Sequence, residues 1–301
     1  MAERFRKRFP PWLKRRIGPG APPHTVKNLL ADMGLATVCQ NALCPNLGEC
    51  FGRGTAAFLI MGNTCTRNCR FCAVAKGTPQ PLDAGEPARV ALAVRALGLK
   101  HVVLTSVTRD DLPDGGAAHF VLTVRSIRDT CGASVELLTP DFMGARASIL
   151  AVASCAPEIF NHNVETVHRL YPSVRPGADY RRSLGLLRMV KDSFAKILTK
   201  SGFMLGLGET AQEVRSLLGD LRAAGCDIVT IGQYLQPGAR HLPVERYIHP
   251  DEFDQYRATA EEMGFLGVAS GPYVRSSHNA DRILEEVTGR LRRTGRARAG
   301  Q

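Results

Sequence analysis

From residue 57 onward the chain repeats one unit, a short apolar run followed by an amphipathic stretch of helical length, and this alternation limits the fold more than any other feature. The runs at 57–61, 101–105, 134–138, 158–162, 202–205, 227–231 and 265–269 read as buried strands. Periodic patterns at about 87–97, 117–128, near 147, 165–169, 180–191, 211–223 and 250–263 predict helices between and after them. Such alternation builds a parallel sheet, because successive parallel strands need a long crossover. Six or seven units with no internal repeat fit an open doubly wound sheet or a barrel-like one, and both gather ligands at the carboxyl ends of their strands. The reading is an α/β fold, a partial TIM-like (β/α)6 barrel over residues 57–270. Residues 1–56 and 271–301 are extensions expected to cover the mouth, the second ending in a short helix and a basic tail.

Cysteine placement points to the chemistry. Six of the nine cysteines form two triads, Cys39, Cys44 and Cys50, then Cys65, Cys69 and Cys72, the second with spacing C-x3-C-x2-C on the loop 62–76 directly after the first strand. Four thiolates normally hold an iron–sulfur cluster, so three leave one iron open to a ligand that is not a side chain. A disulfide framework fits poorly, because 301 residues bury a large core without staples and no secretory signal is present. Zinc is a better rival, but it prefers four protein ligands in C-x2-C pairs, and each triad is an odd three. Cys131, Cys155 and Cys226 stand alone among apolar or small neighbours and read as buried, inert thiols.

The formal charge of +11 predicts an acidic partner. The basic ends, Arg4 to Arg16 and Arg290 to Arg298, read as solvated termini rather than nucleic-acid arms, and Pro10-Pro11 would break a targeting helix. With no run of about 18 apolar residues and with thiols that need a reducing compartment, a cytoplasmic location away from membranes is expected. One motif is a decoy. Gly206 to Ala211 imitates the dinucleotide fingerprint G-x-G-x-x-A, yet Asp227 begins the following strand, whereas the ribose-binding acid of that fingerprint ends it.

The Cys65, Cys69, Cys72 triad, with Phe71 before its last cysteine and on a loop after the first strand of a parallel barrel, resembles the radical S-adenosylmethionine superfamily. That resemblance implies a 4Fe–4S cluster whose open iron is chelated by the amino and carboxylate groups of S-adenosylmethionine. One electron then yields a 5′-deoxyadenosyl radical, chemistry suited to a carbon–hydrogen bond with no useful acidity. The first triad, in Thr37-Val38-Cys39 and Cys44-Pro45-Asn46-Leu47-Gly48-Glu49-Cys50, is similar to the auxiliary-cluster motif of lipoyl synthases. Pro10-Pro11-Trp12-Leu13-Lys14, the run from Val107 to Gly116, and Gly271-Pro272-Tyr273-Val274-Arg275-Ser276-Ser277 look like the same family, so the resemblance extends from about residue 10 to 285.

It implies a second 4Fe–4S cluster on Cys39, Cys44 and Cys50, with Ser277 as an oxygen ligand able to leave when that cluster is consumed as the sulfur source. His278 stands where the family usually has tyrosine, and an imidazole there could compete for iron. Asn163 and Glu165, in His162-Asn163-Val164-Glu165-Thr166, suit ribose hydroxyls and an ammonium group, and Arg175 suits a carboxylate. The implied reaction inserts sulfur at carbons 6 and 8 of an octanoyl chain on a lysine of a lipoyl domain or glycine-cleavage H protein. An acidic carrier of this kind would match the basic chain, and a ferredoxin or flavodoxin would supply electrons. Another sulfur-inserting radical enzyme, such as an RNA methylthiotransferase, a noncatalytic two-cluster electron carrier and a zinc-bound nucleic-acid binder remain open on sequence alone.

Overall fold

The computed structural model describes residues 9–14, 24–53 and 55–299. The strands in chain order are β1 (Ala36–Thr37), β2 (Ala57–Ile60), β3 (Thr64–Cys65), β4 (Ala75–Lys76), β5 (His101–Ser106), β6 (Ser134–Leu138), β7 (Ile159–Asn161), β8 (Leu198–Leu205), β9 (Ile228–Gln233) and β10 (Gly267–Gly271). Eight of them form one sheet in the order β1-β2-β5-β6-β7-β8-β9-β10, while β3 and β4 pair separately. From β2 to β10 every neighbour is parallel, and β1 joins the β2 edge antiparallel. Helices Glu86–Ala96, Ala117–Cys131, Arg146–Ala153, Tyr180–Ser193, Ala211–Ala223 and Pro250–Glu262 are the crossovers, so six strand–helix units precede a seventh parallel strand. The sheet is an open barrel with β1 and β10 as its edges.

Two elements differ from the sequence reading for traceable reasons. Strand β8 begins at Leu198 rather than 202, because polar Thr199, Lys200 and Ser201 hide a run that is in fact buried. Each finds a partner: Thr199 Oγ1 donates to the Gly225 carbonyl at 2.7 Å, Ser201 Oγ to the His162 carbonyl at 2.8 Å, and Lys200 Nζ to Glu136 at 2.9 and 3.0 Å. The helix expected over 165–169 is absent. Glu165 has φ 66° and bridges to Phe203 in the sheet, and the first helical turn there is His168–Leu170.

Side chains alternate across the sheet, and the inward set is layered. Glu136, Asn161 and Lys200 form a fully buried ionic layer, with Asn161 Nδ2 donating to Glu136 at 2.7 Å. At the amino ends of β7, β8 and β9, Ile159, Leu198 and Ile228 form a small cluster with Ile283 and Val287. The carboxy-terminal extension therefore divides. Residues 272–279 run past the mouth, whereas helix Ala280–Ala299, far longer than expected, plugs the opposite end. Gly267 permits this approach, since a Cβ there would lie 2.8 Å from Val287 Cγ2.

The decoy glycine motif has a packing cause. A Cβ on Gly206, φ 101°, would sit 2.3 Å from Gln233 Nε2 and 2.5 Å from the Arg246 carbonyl. Asp227 is bound to Lys191 at 2.7 Å and to the Thr199 amide at 2.9 Å, away from any strand end that could hold a ribose. The isolated cysteines divide too: Cys226 is buried and Cys155 half-buried, but Cys131 is exposed at the end of its helix, contrary to expectation. Most of both basic arms lies outside the residues whose side chains are described.

Candidate active site

The second triad hangs from the carboxyl end of β2. The chain turns there through two left-handed residues, Met61 (φ 66°) and Gly62 (φ 88°), and the buried Glu86 carboxylate holds that turn by accepting from the Met61 amide at 2.8 Å. His119 Nε2 lies 2.7 Å from the same oxygen. Beyond the turn the loop is pinned at three backbone points: Thr66 N to the Thr108 carbonyl (3.1 Å), Arg70 N to Val174 (2.9 Å) and Leu242 N to Arg70 (3.2 Å). The Cys65 sulfur accepts from the amides of Arg67 and Thr108 at 3.4 and 3.3 Å.

Arg67, between the first two cysteines of this triad, is the side-chain anchor that the sequence reading missed. It reaches Asp110 at 2.6 and 2.9 Å and Asp141 at 2.5 Å, and Arg182 completes the group at 2.7 Å from Asp141. Burial opposes ionisation of Asp141, but the bonds from Arg67 and Arg182 outweigh it and hold its carboxyl well below the usual carboxylate range. A group with a lowered folded pKa contributes stability above its unfolded pKa of about 3.9 and loses it as pH falls. Asp141→Asn should therefore cost about 3 kcal/mol at neutral pH, the low end for breaking a buried pair. Urea unfolding at pH 7 and in acid should show the gap to wild type narrowing below about pH 4; a constant gap would count against the assignment.

A cavity of about 460 Å³ opens at the carboxyl ends of the strands. Cys65, Cys69, Cys72 and Phe71 line one wall, Cys39 and Cys44 arrive from the amino-terminal extension, and Asn163, Glu165, Arg175 and Ser277 complete the expected set. Cys50 does not line the cavity. Burial pushes its thiol up to about 12, and the nearby Cys39 and Cys44 add to the push. Burial likewise raises Cys39 and Cys69, and lifts Cys72 to about 11. Among the described residues no three His, Cys, Asp or Glu side chains converge on a single-ion position. A cluster whose thiolates each take a different iron asks for a wider spread.

Ser277 is bracketed against the first triad. Asn46 Nδ2 donates to the Tyr273 carbonyl at 2.7 Å, His278 Nε2 lies 3.3 Å from Glu49 Oε1, and Arg53 Nη1 donates to Asn279 at 2.7 Å. Contacts on both sides of Ser277 thus meet residues on both sides of Cys50. His278 is turned to Glu49, and it is not part of the cavity wall.

Across the cavity, Arg175 Nη1 donates to the carbonyls of Asn163 (2.9 Å) and Val164 (3.3 Å) and to the Tyr171 hydroxyl (3.1 Å). One arm of the expected carboxylate fork is therefore spent on the protein. Arg175 Nε and Asn163 Oδ1 are buried with no hydrogen-bond partner among the described residues. Burial raises the Glu165 carboxyl, although Arg175, Asn163 and Arg275 pull it down. Partnerless donors and acceptors beside a half-buried carboxylate fit a ligand carrying an ammonium, a carboxylate and hydroxyls, and six thiols fit two clusters. Glu165 owes its aim to a left-handed backbone, a strained geometry for a non-glycine residue that tends to occur at functional positions.

The Radical SAM superfamily pattern matches residues 59–221. Two solved structures share the fold at low identity: methylornithine synthase (TM-score 0.51, 15% identity, covering 92% of this chain and 94% of that one) and SuiB of Streptococcus suis bound to its precursor peptide (0.57, 10%, 71% and 48%). The open barrel and the cysteine loop on its first parallel strand are thus those of a radical S-adenosylmethionine enzyme, and the chain belongs to that superfamily. Closer relatives narrow it. Lipoyl synthase of Caldanaerobacter subterraneus is 57% identical over 274 residues, covering 91% of this chain and 96% of the relative, and that of Chlorobium limicola is 55% identical over 283 residues, covering 93% and 97%. The chain belongs to the lipoyl synthase family.

Proposed function

We propose that this chain completes a lipoyl cofactor in place, inserting one sulfur at carbon 6 and one at carbon 8 of an octanoyl chain carried on a protein lysine. The observation that carries this reading is the sharing of one cavity by both triads, since Cys39 and Cys44 face the same space as Cys65, Cys69 and Cys72. An alkyl chain admitted there would meet cysteines of both triads. When bound at Cys65, Cys69 and Cys72, a 4Fe–4S cluster together with S-adenosylmethionine supplies the hydrogen-abstracting radical.

The chain's own residues do the rest. Glu165 takes the ammonium of S-adenosylmethionine, the Arg175 Nε edge its carboxylate, and Asn163 a ribose hydroxyl, while Phe71 walls the pocket. Cys39, Cys44 and Cys50 would hold the second cluster, and Ser277 would be its weakest ligand, an oxygen among thiolates. The carrier is a lipoyl domain or glycine-cleavage H protein whose acidic surface meets this basic chain, and a ferredoxin or flavodoxin supplies electrons in the cytoplasm. Among the described residues no helix is long and apolar enough to cross a membrane.

The test is anaerobic reconstitution with iron and sulfide, followed by S-adenosylmethionine, a reductant and an octanoyl-lysine peptide. The expected products are 5′-deoxyadenosine and a peptide carrying two sulfurs. If 5′-deoxyadenosine forms and no sulfur enters the peptide, the substrate is wrong; if neither forms, the radical reading fails.

A further inference from the structure

Asn163 carries a contact that the reaction itself does not require. Its Nδ2 donates both to Glu165 Oε1 at 3.1 Å and to the Ser276 hydroxyl at 2.9 Å, so both amide protons are committed, while its Oδ1 is left buried and partnerless. Ser276 belongs to the segment after β10, 113 residues further along the chain, and its neighbour is Ser277. That segment is held tightly on both sides. The Tyr273 carbonyl is bound by Asn46, and the Val274 carbonyl packs where a Cβ on Gly232 would lie, 2.2 Å away. His278 meets Glu49. Between these anchors, Ser276 reaches across the cavity wall to the pocket side.

We propose that Ser276 is a positioning residue that couples occupancy of the S-adenosylmethionine pocket to the hold of Ser277 on the second cluster. This rests on the reading above, in which Asn163 and Glu165 contact S-adenosylmethionine and Ser277 completes the cluster of Cys39, Cys44 and Cys50. A ligand seated on Glu165 and Asn163 competes for the two Nδ2 protons or satisfies Oδ1. Competition for the Nδ2 protons changes the bond to Ser276 directly, a donor at Oδ1 polarises the amide that makes that bond, and one peptide unit joins Ser276 to the cluster ligand. An interaction that differs between two bound states is what transmits coupling between sites, and the coupling is reciprocal in binding free energy. S-adenosylmethionine therefore biases the ligation of the second cluster, and that cluster biases S-adenosylmethionine affinity to the same degree. The device suits an enzyme that has to release sulfur only when the radical source is loaded.

Reciprocity makes the coupling measurable without turnover. S-adenosylmethionine is titrated into reconstituted protein kept oxidised, where it is not cleaved, and its Kd is read from the change in the Mössbauer signal of the radical cluster. Wild type is compared with Cys44→Ala, which lacks the second cluster, and both are repeated with Ser276→Ala. Removing the second cluster should change Kd by about fivefold when Ser276 is present, the scale of one hydrogen bond, and by a factor near one when it is alanine. Ser276→Thr keeps the hydroxyl and should keep the fivefold ratio. A ratio that survives Ser276→Ala, or one that is already near one in protein containing Ser276, overturns the coupling while leaving the radical reading intact. If S-adenosylmethionine leaves the cluster signal unchanged in every variant, the underlying reading falls with it.

Discussion

Replacing Lys200 by methionine should lower the melting temperature of the cluster-free protein by roughly 10 °C, from a loss of about 3–5 kcal/mol. Lys200 and Glu136 are both wholly buried, bonded at 2.9 and 3.0 Å inside the barrel and below the cavity. Methionine fills a similar volume, so the loss is one of charge rather than of packing. Glu136 would keep one neutral partner, Asn161 Nδ2 at 2.7 Å, and no cation. His101 Nε2 is 4.0 Å from Glu136, beyond hydrogen-bond distance, and burial lowers its pKa. Removing both charges with Lys200→Met and Glu136→Gln together should recover most of the loss, because a buried pair is worth little against neutral groups of like shape. A single variant within about 1 kcal/mol of wild type would mean that the layer does not hold the barrel.

How far the sequence could be read depended on how local each signal was. The C-x3-C-x2-C spacing lies within one loop, and the strand before it is a continuous apolar run, so the cysteine loop and its place at a strand's carboxyl end were both visible. Arg67 was not. Its partners lie 43 and 74 residues away, and only the parallel sheet brings the loops after β5 and β6 beside the loop after β2. The start of β8 was hidden for a related reason, since Lys200 looks like surface until Glu136, 64 residues earlier, is placed opposite it. Likewise, the terminal helix has an apolar face whose destination, the amino ends of β7, β8 and β9, no local pattern indicates.

Cys39 and Cys44 share a cavity with the second triad, so separating the roles of the two triads needs variants that disable one at a time, and here the second large effect is expected. Cys44→Ala should retain 5′-deoxyadenosine formation and abolish sulfur insertion, whereas Cys69→Ala should abolish both. Cys69 belongs to the loop pinned by Thr66, Arg70 and Arg67 to the barrel, and each of those anchors is independent of the extension carrying Cys44. Cys44 is held instead by its amide's bond to the Cys39 carbonyl at 3.0 Å, within the extension itself. Loss of its thiol leaves the second cluster short of a ligand while the loop at 62–76 keeps every contact. Iron content should fall by about half in Cys44→Ala, since Fe–S clusters are held by cysteine thiolates, and the peptide should be recovered without added sulfur. Should Cys44→Ala still deliver two sulfurs, the first triad would not be the sulfur source; should it lose 5′-deoxyadenosine as well, the two triads would not be separable sites.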